Sequence, residues 1–171
     1  MEYNKLPGTD IDVSKICLGT MTWGRQNSES EAFEQMDYSL DKGVNFFDTA
    51  ELYPVPATPD RYADTERIIG NWLESRKTRD KIILASKIAG PGDYTAHIRK
   101  TGFRGNSIED AINGSLERLK TDYIDLYQLH WPERTPHYSG KRGFDYVDDG
   151  WTDNFREILE TLNKIVNSGK I

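Results

Sequence analysis

Apolar residues along the chain fall into short continuous runs that are typical of buried β-strands. The runs are rich in β-branched and aromatic residues and are too short for helices. Four of them occur in order, in the segments KICLGT (15–20), VNFFD (44–48), KIILASK (81–87) and YIDLYQLH (123–130). Before the first run, two extended pieces flank Pro7-Gly8, a turn signal, and predict a small β-hairpin.

Each run is followed by apolar residues at the spacing of one helix face. Ser28 and Glu31 form a capping-box pattern before the first of these segments, which Gly43 ends. Ser107 is expected to cap the third helix, and Gly169 to end the fourth. The apolar positions of the four predicted helices are Phe33, Met36 and Leu40; Ile68, Ile69, Trp72 and Leu73; Ile108, Ala111, Ile112, Leu116 and Leu119; and Phe155, Ile158, Leu159, Leu162, Ile165 and Val166.

Four strand–helix units in succession favour an α/β fold, in which a parallel sheet has its helices packed outside it. An open doubly wound sheet and part of a (β/α)8 barrel both fit this alternation. A complete barrel typically needs about 250 residues, whereas this chain has 171. We expect a single domain over residues 1–171.

Two long connections, 88–106 and 131–153, each follow a predicted strand, on the side where such folds place active sites. The second is rich in aromatic residues: Trp131, His137, Tyr138, Phe144, Tyr146 and Trp151. These side chains either wall a substrate pocket or pack the loop onto its own domain, and the sequence favours neither alternative.

Composition narrows the classes of partner. The net charge of -6 and the lack of a Lys/Arg-rich run give no support to nucleic-acid binding. No segment resembles a signal peptide or reaches the roughly 18 apolar residues of a membrane helix. The single cysteine, Cys17, lies between Ile16 and Leu18, which predicts a buried, inert thiol in a reducing compartment. We therefore expect a cytoplasmic protein with no membrane or nucleic-acid partner.

Titratable residues lie at or near the carboxyl ends of the predicted strands. Asp48 ends the second strand and Tyr53 follows five residues later, while Lys87 and His130 end the third and fourth. In a parallel sheet these ends meet at one face, where catalytic groups of such folds converge. Each residue alone is more often a cap, a packing residue or a surface charge, but their equivalent places in successive units favour a functional site.

These four residue types suit the protonation of a carbonyl oxygen. A phenol holds its proton at neutral pH, and a nearby ammonium is expected to lower the pKa of the phenol and ease proton release. A carboxylate would keep that lysine charged, and a neutral imidazole would orient the carbonyl. The set contains no electron source, so reduction would require a hydride-bearing cofactor.

Long motifs identify the chain as similar to the aldo-keto reductase superfamily, and within it to the bacterial Tas-like subgroup. The resemblance implies the first four units of a (β/α)8 TIM barrel, a half-barrel that follows the N-terminal β-hairpin. It also implies an oxidoreductase that reduces aldehydes or ketones, usually with NADPH. The motifs are LGTMTWG (18–24), NFFDTAELYPVP (45–56), GNWL (70–73), ILASKIAGP (83–91) and SLERLKTDYIDLYQLHWP (115–132).

The resemblance places the family's catalytic tetrad on Asp48, Tyr53, Lys87 and His130. Tyr53 would be the proton donor, Lys87 and Asp48 would tune it, and His130 would orient the substrate carbonyl. No metal is implied. The implied cofactor contacts are Gly19, Thr20, Met21 and Asp48, and the implied substrate contacts are Trp23, Tyr53, His130 and Trp131.

Family members continue through four further units that hold the rest of the cofactor, and no GxGxxG loop replaces those units here. A half-barrel leaves two strand edges unpaired and one apolar face uncovered. We expect the chain to be the N-terminal piece of a longer protein, rather than one that pairs with a second copy or a complementary half, or a truncated product. The alternative to a reductase is a non-catalytic half-barrel or a cofactor-sensing regulatory subunit.

Overall fold

The computed structural model describes residues 1–134, 142–143, 148, 150–151 and 153–171. The strands are β1 (Tyr3–Lys5), β2 (Asp12–Ser14), β3 (Cys17–Gly19), β4 (Phe46–Asp48), β5 (Ile83–Ile88) and β6 (Leu126–Leu129). The helices are α1 (Glu29–Asp41), α2 (Asp64–Arg76), α3 (Ser107–Leu119) and α4 (Phe155–Asn167). The predicted alternation is confirmed. The loop residues His137, Tyr138, Phe144 and Tyr146 lie outside the described residues.

A single parallel sheet contains β3, β4, β5 and β6 in that order, and β1 and β2 form the predicted separate hairpin. In its register, Gly19 lies beside Asp48, Asp48 beside Ala85, and Lys87 beside Gln128. Side chains alternate between the two faces of a strand, so these five residues share one face.

Helices cover the opposite face of the sheet. Phe47 of β4 and Leu84 of β5 are fully buried there against Trp72 of α2. A second cluster joins Ile88 of β5 and Ile112 of α3 to α4. Each such large apolar side chain contributes roughly 1.5–3 kcal/mol on burial. The helices therefore pack on one face of the sheet, and Asp48 and Lys87 lie on the other face.

Three of the four predicted helix ends agree with the structure. Gly43 follows the end of α1 with a φ of 80°. Ser28 and Glu31 form a complete capping box at the start of α1, with each side chain accepting from the other residue's backbone N–H. Gly169 follows the end of α4 with a φ of 79°, which glycine adopts without strain. The prediction for α3 is wrong by one residue, because Asn106 occupies the capping position and Ser107 is the first helical residue.

Cys17 is exposed, so the prediction of a buried thiol is wrong. Its strand, β3, lies at the edge of the sheet, and its side chain shares the helix-free face with Phe46, its partner in register. Partial burial, followed by the negative charge of Asp48, still raises the pKa of the thiol to about 11. The reactive thiolate is therefore disfavoured at neutral pH.

The described residues lack two kinds of feature. Over the described ranges, no helix has both the length and the apolar character needed to cross a membrane. The same residues contain no group of three or more His, Cys, Asp or Glu side chains placed to hold a metal ion.

Candidate active site

An ion pair between Asp48 and Lys87 forms the centre of the site, at the carboxyl end of the sheet. Lys87 Nζ donates to Asp48 Oδ1 at 2.5 Å and to the backbone oxygen of Thr49 at 2.7 Å. Gln128 Nε2 donates to Asp48 Oδ2 at 3.2 Å. The side chain of Lys87 is only 11% exposed, so water screens its charge weakly.

Tyr53 lies directly over this pair. Lys87 Nζ is 4.9 Å from the centroid of the Tyr53 ring, and the ring meets that of His130 edge-on at 5.6 Å. The turn that returns Tyr53 to the site is closed by its backbone N–H, which donates to the oxygen of Ala50 at 3.1 Å. The structure thus brings together all four residues of the predicted tetrad.

The phenol of Tyr53 loses its proton less readily than a free phenol. Burial, followed by repulsion from Asp48, raises the pKa of Tyr53 to about 12. The expected lowering of this pKa by lysine is therefore wrong for the protein alone. Lys87 stands over the ring and its charge is already paired with Asp48, so burial dominates. At neutral pH the phenol is therefore protonated.

His130 is neutral at the same pH. Burial, followed by the positive charge of Lys87, lowers the pKa of His130 to about 4. Its backbone N–H donates to Ile88 at 3.1 Å, which extends the β5–β6 pairing to the site. Its Nδ1 is buried and has no hydrogen-bond partner among the described residues. A neutral imidazole can donate one hydrogen bond to a carbonyl oxygen while its other nitrogen accepts.

Besides Asp48, the predicted cofactor contacts are two exposed residues and one buried residue. Gly19 is exposed, and a Cβ built there would meet nothing within 4 Å; Met21 is 48% exposed. Thr20 is fully buried instead, and its Oγ1 donates to the backbone oxygen of Asp48 at 2.9 Å. Thr20 therefore stabilises the backbone at Asp48. Gly19 and Met21 form a surface that a ligand can reach.

The two predicted substrate tryptophans have different surroundings. Trp23 is 1% exposed and packs in the main core, where its Nε1 donates to Gln35 at 3.0 Å. This placement does not support a substrate contact for Trp23. Trp131 is partly exposed, tilts against His130 with ring centroids 5.1 Å apart, and donates from Nε1 to the oxygen of Pro91 at 3.0 Å.

Sequence reasoning missed Gln128 and Glu51. Gln128 was detectable, because it precedes His130 by two residues and so lies on the same strand face. Glu51 is 1% exposed and forms an ion pair with Arg99, 48 residues away in an irregular loop. No local pattern predicts a pairing at that separation.

Known proteins resemble this chain in sequence and in fold. Residues 15–171 match the Aldo/keto reductase family model. The chain is 41% identical over 173 residues to Protein tas of Escherichia coli, a match that covers 100% of this chain and 50% of that protein. Among solved structures, the holo form of an aldo-keto reductase from Bacillus halodurans aligns with a TM-score of 0.70 at 31% identity, over 100% of this chain and 48% of that one. An aldo/keto reductase from Klebsiella pneumoniae, in complex with NADP and acetate, aligns with a TM-score of 0.61 at 27% identity, over 94% and 44%.

The chain spans about half the length of the curated relatives it matches. The observed order of four parallel strands with outer helices agrees with that coverage. The predicted fold class, the TIM barrel of these enzymes with half of its units in this chain, is confirmed. The chain belongs to the aldo/keto reductase family.

Proposed function

We propose that this chain carries the proton-transfer residues of an NADPH-dependent reductase that converts aldehydes or ketones to alcohols. The observation that carries the proposal is the convergence of Asp48, Tyr53, Lys87 and His130 at one end of the sheet. Membership of a family of oxidoreductases supports this reaction class.

In the proposed reaction, the nicotinamide supplies a hydride to the carbonyl carbon when it is bound. Tyr53 gives its proton to the carbonyl oxygen, and the alcohol is released. The phenolate that remains lies next to the ammonium of Lys87, which Asp48 holds in place, and a solvent proton then restores the phenol. His130 donates a hydrogen bond to the carbonyl oxygen and orients it toward Tyr53.

The residues at the end of β3 fit a flat ring such as nicotinamide. Gly19 has open space where a side chain would stand, and Met21 is exposed beside it. Asp48 follows in register, so a ring above Gly19 would lie next to the tetrad. The NADP bound to the Klebsiella pneumoniae relative supports NADPH as the cofactor proposed here.

The test is NADPH consumption with an aromatic aldehyde as the probe substrate, in a chimera where this chain replaces the matching half of the Escherichia coli Tas protein. Tyr53→Phe removes the proposed acid, and we expect turnover to fall by at least about 100-fold. Tyr38→Phe is the matched control, because Tyr38 is 66% exposed on α1. Retained turnover in Tyr53→Phe would eliminate Tyr53 as the acid. Binding of NADPH without turnover in the parent chimera would favour the cofactor-sensing alternative.

The two outer strands support a proposal about partners. β3 and β6 are the ends of the sheet order, Cys17 and Gly19 of β3 are exposed, and β6 is only half-buried. We propose that these edges pair with a complementing segment or a second copy of the chain, within the cytoplasm. Sedimentation analysis that finds only a folded monomer would contradict this pairing.

A further inference from the structure

A fully hydrogen-bonded carboxylate lies beneath the Tyr53 turn. Glu51 Oε1 accepts from Tyr62 at 3.1 Å and from Arg99 Nη2, while Oε2 accepts from Arg99 Nη1 at 2.7 Å and from the backbone N–H of Ala89 at 2.8 Å. A carboxylate has about four lone-pair sites, and all are used here.

These contacts join the segments that carry the site. Glu51 lies two residues before Tyr53, and Ala89 lies two residues after Lys87. The backbone N–H of Glu51 also donates to the oxygen of Lys87 at 3.1 Å. Glu51 therefore fixes the Tyr53 turn against the end of β5 through both its backbone and its side chain.

Arg99 completes the connection from the loop that follows β5. Its side chain is 12% exposed, and its Nη1 donates weakly to the oxygen of Ala89 at 3.4 Å as well as to Glu51. A planar guanidinium binding both carboxylate oxygens restricts orientation as well as distance. Buried ion pairs contribute little net stability compared with apolar groups, so the geometric restraint is their more useful property.

We propose that the Glu51–Arg99 pair is a positioning device that holds Tyr53 over Lys87 and beside His130. The catalytic consequence rests on the proposed reductase function, whereas the structural consequence does not. Without the pair, the turn from 49 to 53 keeps its backbone bonds but loses the side-chain link to Ala89.

The chain offers a matched control at the other end of the sheet. Arg79 Nη2 donates to Asp125 Oδ2 at 2.6 Å, and that oxygen also accepts the backbone N–H of Leu84 in β5 at 2.8 Å. This pair resembles Glu51–Arg99 in joining an arginine to a carboxylate, in its low exposure of 16% and 13%, and in accepting a backbone N–H at one end of β5. It lies at the amino end of the strand, away from the tetrad.

The structural test compares Glu51→Gln with Asp125→Asn by NMR on the chain labelled at tyrosine, histidine and alanine. We expect a nuclear Overhauser contact between the Tyr53 and His130 rings in the parent and in Asp125→Asn, because the ring centroids lie 5.6 Å apart. This contact should be lost in Glu51→Gln, together with the exchange protection of the Ala89 amide. Should Glu51→Gln not fold, Arg99→Lys, which keeps the charge but not the planar fork, gives the same comparison.

A ring contact that persists in the folded Glu51 or Arg99 variant would overturn the proposal, as would its equal loss in Asp125→Asn. In the chimera, Glu51→Gln should lower kcat by about 10-fold, as misplacement of a reacting group does. The KM for NADPH should stay within about twofold, since ground-state binding is untouched. A parent chimera without turnover would refute the proposed reductase function but not the positioning role of Glu51 and Arg99, because NMR detects the ring contact independently of activity.

Discussion

Acidification should destabilise the folded chain through His130. The pKa of this imidazole is about 4 in the fold, against an ordinary value of 6.5, so the unfolded chain takes up the proton first as pH falls. Stability is therefore lost between these two values, and the loss is complete once pH drops below the lower one. Each unit of pKa difference corresponds to about 1.4 kcal/mol, so the free energy of unfolding falls by at most roughly 3 kcal/mol. His130 is only partly buried, and screening by water reduces this to about 1–2 kcal/mol.

The assay is urea unfolding, followed by tryptophan fluorescence, at neutral pH and again near the lower pKa. His130→Gln is the reference, because it lacks the titrating group but retains every carboxylate that also responds to acid. We expect the parent to lose about 1–2 kcal/mol more than His130→Gln over this interval. Equal losses in the two proteins would refute the reasoning that burial and Lys87 keep His130 neutral.

Three further predictions follow from single contacts. Lys87→Met should raise the pKa of His130 from about 4, because the lysine charge helps to lower it; an NMR titration showing no rise would contradict this. Gly70→Ala should destabilise by about 1–3 kcal/mol, although alanine normally favours helices. The reason is that its Cβ would lie 2.1 Å from the backbone oxygen of Arg118, and a more stable variant in thermal unfolding would disprove the clash. Ser28→Ala should cost about 1 kcal/mol through loss of the capping box, and an unchanged midpoint of unfolding would count against that contribution.

Periodicity predicted the elements because each strand and helix buries a face that its own sequence marks. The same logic placed Asp48, Lys87 and His130 at the carboxyl ends of successive strands, since parallel strands align their carboxyl termini. It failed for Cys17, where a short apolar run did not reveal that the strand lies at an edge. Trp23 differs in the opposite way, because it follows a predicted strand end in the sequence but its side chain is buried in the core.

The pKa of Tyr53 was missed for a different reason. The sequence shows that a lysine is near, but not that its ammonium is already paired with Asp48 and stands over the ring. The balance between burial and charge depends on distances of a few ångströms, which residue types alone do not set.

The register of β5 places the small residue Ala85 between Asp48 and the start of the Lys87 side chain. Asp48 lies beside Ala85, whereas Lys87 is two positions farther along, a rise of about 6.6 Å. The lysine must therefore extend back over Ala85 to reach the carboxylate, and Ala85 is fully buried on the face opposite the described helices. A branched side chain at this position would fill the volume along which the methylene chain of Lys87 lies. The small methyl group of Ala85, which takes no part in proton transfer, therefore leaves room for the ammonium to reach Asp48.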